Sequence, residues 1–171
     1  MEAFLVYFYK TMLTRIYWLH QFDNGARIGI MPRPRGGDWL EDEIINFRKQ
    51  KVTHIASLLE REEIIELGLT QEKTICAKHE IEFLHFPIKD RGIPSHPNEF
   101  IKLLSKKICE GATVVIHCRM GIGRSSIIAG SVLLMNGYIA DEVFEYISRA
   151  RGLKVPDTED QIKWLKAREG L

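Results

Sequence analysis

Strand-like and helix-like runs alternate along the whole chain and predict an α/β fold: a single layered domain whose central, mostly parallel, twisted sheet of about four to five strands is flanked by helices. Three observations carry that expectation. Thr113-Val-Val-Ile116 is the short β-branched run of a central strand. Ser125 to Ala140 contains no charged residue and reads as a helix with almost no polar face, buried inside the domain. No linker or repeat divides the 171 residues, which therefore read as one domain with residues 1–15 as an N-terminal arm.

Each element follows from local pattern. The apolar run Met1–Tyr9 opens with an acid where a signal peptide has basic residues, and it falls short of the roughly 20 apolar residues of a membrane span. It reads as an edge strand or a core-docking arm, the alternative being an interfacial anchor or a partner patch. Ile16–Leu19 and Arg27–Met31, separated by Asp23-Asn24-Gly25, read as strand, turn and strand. The prolines and glycines of Met31–Gly37 make it a basic loop. Asp38 and Glu41 fit a capping box for a helix whose face is Leu40, Ile44, Ile45 and Phe47, ending near Gln50. Val52–Leu59 reads as a buried strand, and Arg61–Leu67, closed by Gly68, as a short helix followed by another. Ile81, Phe83, Phe86 and Ile88 suggest a strand leading into the loop Lys89–Ser95. Phe100, Ile101, Leu103, Leu104 and Ile108 lie at helical spacing, as do Val143, Phe144 and Ile147, and then Ile162, Trp164 and Leu165.

Composition removes several classes of function. Lys and Arg number 24 against 23 Asp and Glu, a net charge of +1, with no basic run to grip a nucleic acid backbone. Hydrophobic residues at 45% and charged residues at 27% fit a folded, soluble domain. Cys76, Cys109 and Cys118 form neither a C-x-x-C pair nor a disulfide framework, which points to a reducing, cytoplasmic setting. His20, His54, His79, His85 and His96 show no metal-ligand spacing, and neither metal nor cofactor is expected.

The chemistry concentrates in Val114–Ser126, where a buried strand runs through a glycine-bearing loop into a buried helix. Such a loop aims unpaired backbone N–H groups into one concavity at the positive end of the helix dipole, a seat for a tetrahedral anion such as phosphate, sulfate or vanadate. Arg119, Met120, Gly121, Ile122, Gly123 and Arg124 form this cradle, and Gly121 and Gly123 let its backbone wrap inward. Cys118 sits at its floor, where amides, dipole and a cation favour the thiolate. That thiolate is placed to attack phosphorus while Arg124 forks onto two phosphoryl oxygens. The Ser125 hydroxyl can stabilise the sulfur when it leaves in a second step.

His-Cys-Arg-Met-Gly-Ile-Gly-Arg-Ser, residues 117–125, resembles the signature of the protein tyrosine phosphatase superfamily. The compact length resembles its dual-specificity branch, and the layout from Gly29 to Leu165 is most similar to kinase-associated, cyclin-dependent kinase inhibitor-type phosphatases. That resemblance implies an enzyme that hydrolyses phosphotyrosine, with phosphoserine and phosphothreonine as further substrates, through a cysteinyl-phosphate intermediate. It implies that Asp90, roughly thirty residues before the cysteine, protonates the leaving alcohol, the alternative being a turn-forming Asp before Gly92. Asp157 is the next candidate for that role. Gln161 matches the family's water-positioning glutamine, against a plain surface residue of the last helix. His117 is expected to hydrogen-bond the loop backbone and tune Cys118. Cys76 is read as an inert buried thiol, with a resolving partner for an oxidised Cys118 as the alternative.

Substrate identity is less determined. Arg119 resembles the basic position of phosphoinositide-directed relatives, while Ile122 completes the Gly-Ile-Gly-Arg-Ser form of protein-directed ones. A phosphorylated protein is the expected partner, taken by a monomer, and Arg33 and Arg35 are either readers of its acidic flanks or part of a solvated basic loop. The alternatives are a phosphatase for phosphoinositides or RNA 5′ ends and a non-catalytic phosphate-binding module. The mark of the last would be a lost Cys, Arg or Asp, and Cys118, Arg124 and Asp90 are all present.

Overall fold

The structure, a computed structural model, describes residues 13–170. The apolar run Met1–Tyr9 lies outside the described residues. Five strands form one sheet in the order β1-β2-β5-β3-β4: β1 (Tyr17–Gln21), β2 (Arg27–Pro32), β3 (His54–Ser57), β4 (Glu82–His85) and β5 (Thr113–Cys118). Only β1 runs antiparallel, paired with β2 through the expected turn, while β2, β5, β3 and β4 are mutually parallel. The helices are α1 (Leu40–Lys49), α2 (Arg61–Glu66), α3 (Glu72–Lys78), α4 (Asn98–Cys109), α5 (Arg124–Met135), α6 (Ala140–Arg151) and α7 (Glu159–Lys166). Among the described residues no helix is long and apolar enough to cross a membrane.

All of β5 is buried, with a neighbour on each side and helices on both faces, as its β-branched sequence requires. Alternate side chains divide between two cores. Val114, Ile116 and Cys118 join the core built with α4, α5, α6 and α7, whereas Val115 joins the core built with α1 and α3. The helix after β2 therefore covers one face and the helix after β5 covers the other. Between two such diverging connections a crevice opens at the carboxyl ends of the strands, and Cys118 is the last residue of β5.

Three local expectations are corrected. Asp38 caps nothing: Gly37–Trp39 forms a 3₁₀ turn, and α1 begins after Trp39 with no side-chain cap. A tighter turn supplies the bonds that a capping side chain would have provided. The uncharged stretch from Ser125 to Ala140 is not one helix, because α5 ends at Met135 and Gly137 turns the chain with φ 89° before α6. Hydrophobicity persists across that break since both helix ends pack on the same core, while Met135 itself is half exposed. The strand read over Val52–Leu59 contracts to His54–Ser57.

Candidate active site

The loop from Cys118 to Arg124 closes over the end of β5. Gly121 has φ 64°, and a Cβ there would sit about 2.5 Å from the Met31 carbonyl carbon and 2.6 Å from the Pro32 nitrogen. Only glycine satisfies both the backbone angle and the approach to the end of β2. A Cβ on Gly123 would sit 2.7 Å from the Gln161 amide oxygen, so this second glycine lets the segment before α7 close against the loop. Cys118 is 3% exposed, with Sγ 3.5 Å from the Ser125 hydroxyl. The cleft above it is lined by Asp90, Arg91, Cys118, Arg119, Met120, Ile122, Gly123, Arg124, Asp157 and Gln161. The cleft is small, with a volume of about 40 Å³.

Arg124 opens α5 and is 2% exposed. Its guanidinium meets a carboxylate that the sequence reading did not single out: Nη1 and Nη2 donate to the two Glu63 oxygens at 2.7 and 2.9 Å. Nη1 also donates to the Ile88 carbonyl at 2.9 Å, and Nη2 to Asp90 Oδ1 at 2.9 Å. Four of five guanidinium N–H groups thus have protein acceptors, leaving Nε–H. Asp90 arrives here because residues 86–88 continue beside β3, Phe86 N–H bonding to Ser57 O and Ile88 N–H to Leu58 O. Arg91, next along, has φ 57°, a rare angle for a residue with a Cβ, within the turn closed by Gly92 N–H on Lys89 O.

Glu63 holds more than Arg124. It accepts from the Glu60 backbone N–H at 3.0 Å and from Arg119 Nε at 3.1 Å, while Arg119 also pairs with Glu66. Burial pushes the Glu63 carboxyl up, but the bonds from Arg124, Glu60 and Arg119 outweigh it and hold its pKa at about 2. Arg119 therefore offers the cleft its backbone and turns its charge onto α2. In that helix Glu63 is buried and Ile65 exposed, the reverse of what hydrophobicity implies. No spacing rule in Arg61–Leu67 marks Glu63, and only its position after a buried strand hints at a site.

The remaining expected residues separate. Gln161 is fully buried at the cleft, its side-chain N–H bonding to the Gly92 carbonyl at 3.0 Å, so it is not a surface residue. His117 does not bond the loop backbone, which corrects the expectation. Its side chain points to the opposite face from Cys118, where Nε2 lies 3.0 Å from Glu72 Oε1, within ion-pair distance but out of hydrogen-bond alignment. The two-residue period of β5 makes that separation unavoidable. Cys76 is buried in the α1–α3 core, across the sheet from Cys118, and burial pushes its thiol up, so it is no resolving partner. Arg35 is paired with the buried Glu43 at 2.7 Å, and Arg33 donates to the Pro34 carbonyl. Among the described residues no group of three or more His, Cys, Asp or Glu could hold a metal ion.

A mostly parallel sheet whose central strand ends in a cysteine and a glycine-bearing loop, with a buried arginine beside it, is the arrangement of the dual-specificity phosphatase class of α/β domain. A family model described as polymorphic toxin system, DSP-PTPase phosphatase, matches residues 30–138, and the chain belongs to that family. Kinase associated phosphatase superposes with TM-score 0.77 at 19% identity over 89% of this chain and 92% of its own, a likeness of fold. Tk-PTP in its active form gives TM-score 0.69 at 25% identity over 90% of this chain and 96% of its own. The 197R protein of Invertebrate iridescent virus 6, named for a tyrosine phosphatase, is 27% identical over 146 residues, 78% of this chain and 53% of that protein. The chain spans about half the length of the curated relatives it matches.

The Glu63 geometry fixes a pH dependence. Its carboxyl titrates lower in the folded chain than in the unfolded one, so its stabilisation is complete above the ordinary carboxylate value and is lost as pH falls toward about 2. Denaturant midpoints across that acid range should fall for the wild type. Glu63→Gln, which keeps the shape without the charge, should start less stable at neutral pH and show a flatter acid decline.

Proposed function

We propose that the chain is a cysteine-dependent protein phosphatase that hydrolyses phosphotyrosine, with phosphoserine and phosphothreonine as further substrates. One observation carries the reading: Cys118, Arg124, Asp90 and Gln161, drawn from separate elements, line one small cleft, with the Ser125 hydroxyl 3.5 Å from the Cys118 sulfur. The Cys118 thiolate attacks phosphorus and the P–O bond to the leaving group breaks, with the Asp90 carboxylic acid giving its proton to that oxygen. Water then attacks the cysteinyl phosphate, its proton goes to the Asp90 carboxylate, and the P–S bond breaks to return thiolate and release phosphate. The Ser125 hydroxyl, 3.5 Å from sulfur, stabilises the departing thiolate. Gln161 positions the attacking water from its buried seat.

Arg124 takes two phosphoryl oxygens through Nε and Nη2, the only neighbouring pair that leaves the Glu63 fork in place. Phosphate therefore displaces Asp90 from Nη2 and frees the acid to face the leaving oxygen. The arrangement of Arg119 supports a protein substrate over a phosphoinositide, since its charge is spent on Glu63 and Glu66 and is not available to a second ring phosphate. The chain acts in this reading as a single cytoplasmic, monomeric phosphatase domain.

Two variants test it. Cys118→Ser should lose turnover on a phosphotyrosyl peptide yet still bind phosphate esters, because the amides and Arg124 remain while a hydroxyl does not ionise near neutral pH. Steady-state hydrolysis surviving in that variant would remove Cys118 as nucleophile. Asp90→Asn should slow phosphopeptide hydrolysis by about 10²–10⁴-fold and nitrophenyl phosphate hydrolysis by much less, since an activated phenolate needs little help from an acid. Equal losses on both substrates would transfer the acid role to another residue.

A further inference from the structure

The phosphate loop has an outer face as well as an inner one. A trans peptide unit points its N–H and C=O in opposite directions, so a loop that aims its amides inward must aim the matching carbonyls outward. Outward carbonyls at a partly buried surface need donors, or the peptide can turn over and place an oxygen where the anion should sit. In this loop the Arg119 carbonyl accepts from the Arg33 backbone N–H at 3.3 Å. The next two carbonyls are both held by one side chain from 30 residues further along: Arg151 Nε donates to Gly121 O at 2.8 Å and Nη2 to Met120 O at 3.2 Å.

Arg151 is well placed for this. It is the last residue of α6, where the negative end of the helix dipole favours a cation, and Gly152 ends the helix with φ 72°. Its guanidinium carbon stacks 3.9 Å from the centre of the Tyr17 ring, so the first strand fixes the plane of the fork. Among the described residues it has no carboxylate partner, in contrast to Arg119 and Arg124.

We propose that Arg151 is the positioning residue of the phosphate loop: by holding the Met120 and Gly121 carbonyls outward, it aims the Gly121 and Ile122 N–H groups at the phosphoryl oxygens. It touches no substrate and acts through those two peptide units. The role rests on the phosphatase reading only in that the cradle binds a tetrahedral oxyanion. A planar fork is needed, because an ammonium at the same place can serve one carbonyl well and not both in fixed register.

Tungstate affinity, measured by titration calorimetry on the full chain, reads the cradle without turnover, and aryl phosphate kinetics are recorded on the same samples. Arg151→Met should weaken tungstate binding by about tenfold or more. Arg151→Lys keeps the charge and should remain at least severalfold weaker than wild type. Tyr17→Leu, which removes the stacking ring and leaves the arginine, should fall between wild type and Arg151→Met. If Arg151→Met does not fold, Arg151→Lys and Tyr17→Leu carry the test with the same expectations. Variants binding within twofold of wild type would overturn the proposal, as would full restoration by lysine, which would show that charge alone matters. A wild type that binds no tungstate would overturn it too. A wild type that binds tungstate but hydrolyses no phosphate ester would leave this proposal standing and overturn the enzymatic reading instead.

Discussion

The site depends first on the fork between Arg124 and Glu63. A guanidinium 2% exposed has lost nearly all of its water, and desolvating a charge costs several kcal/mol unless a partner with good geometry offsets it. Glu63 supplies two parallel bonds and the Ile88 carbonyl a third, which fixes the plane of the guanidinium beside Cys118. That one interaction ties together α2, the start of α5 and the segment after β4. Removing either partner would leave the other charge buried and unmatched, a larger penalty than the pair is worth as a source of stability.

The sheet makes such a meeting possible. β5 lies between β2 and β3, and the connections leaving β2 and β5 go to opposite faces, so the loop after β5 opens into a crevice that neither helix layer fills. The parallel neighbours also deliver their own following segments to the same edge: Arg33 after β2, Glu63 after β3 and Asp90 after β4. Each of these touches the phosphate loop or its arginine. The residues of the site are distant in sequence because parallel strands end together while their connections are long.

Much of this was legible in the chain. The strand–loop–helix context of residues 114–126, with its two glycines and uncharged helix, places a thiol at the start of a tight loop, and the alternation of runs gives the layers. What escaped reading has a physical cause in each case. Glu63 is not legible because a buried acid on a short helix is justified by arginine partners 56 and 61 residues away. Arg151 was hidden because its acceptors are backbone carbonyls, which leave no trace in side-chain pattern. His117 turns away from the loop because neighbours in a strand face opposite cores, so adjacency to Cys118 in sequence separates the two side chains. The break at Gly137 was overlooked because hydrophobicity records burial and not continuity of a helix.

The covalent role of Cys118 is the central claim, and the most direct measurement is rapid acid quench of the wild-type chain turning over a ³²P-labelled phosphotyrosyl peptide, followed by peptide mapping. The account predicts label on the fragment containing Cys118, in a linkage with the lability of a thiophosphate ester, at a level that rises when Gln161, proposed to position the attacking water, is replaced. Turnover with no label on the protein, or with label on a serine, histidine or aspartate, would contradict it.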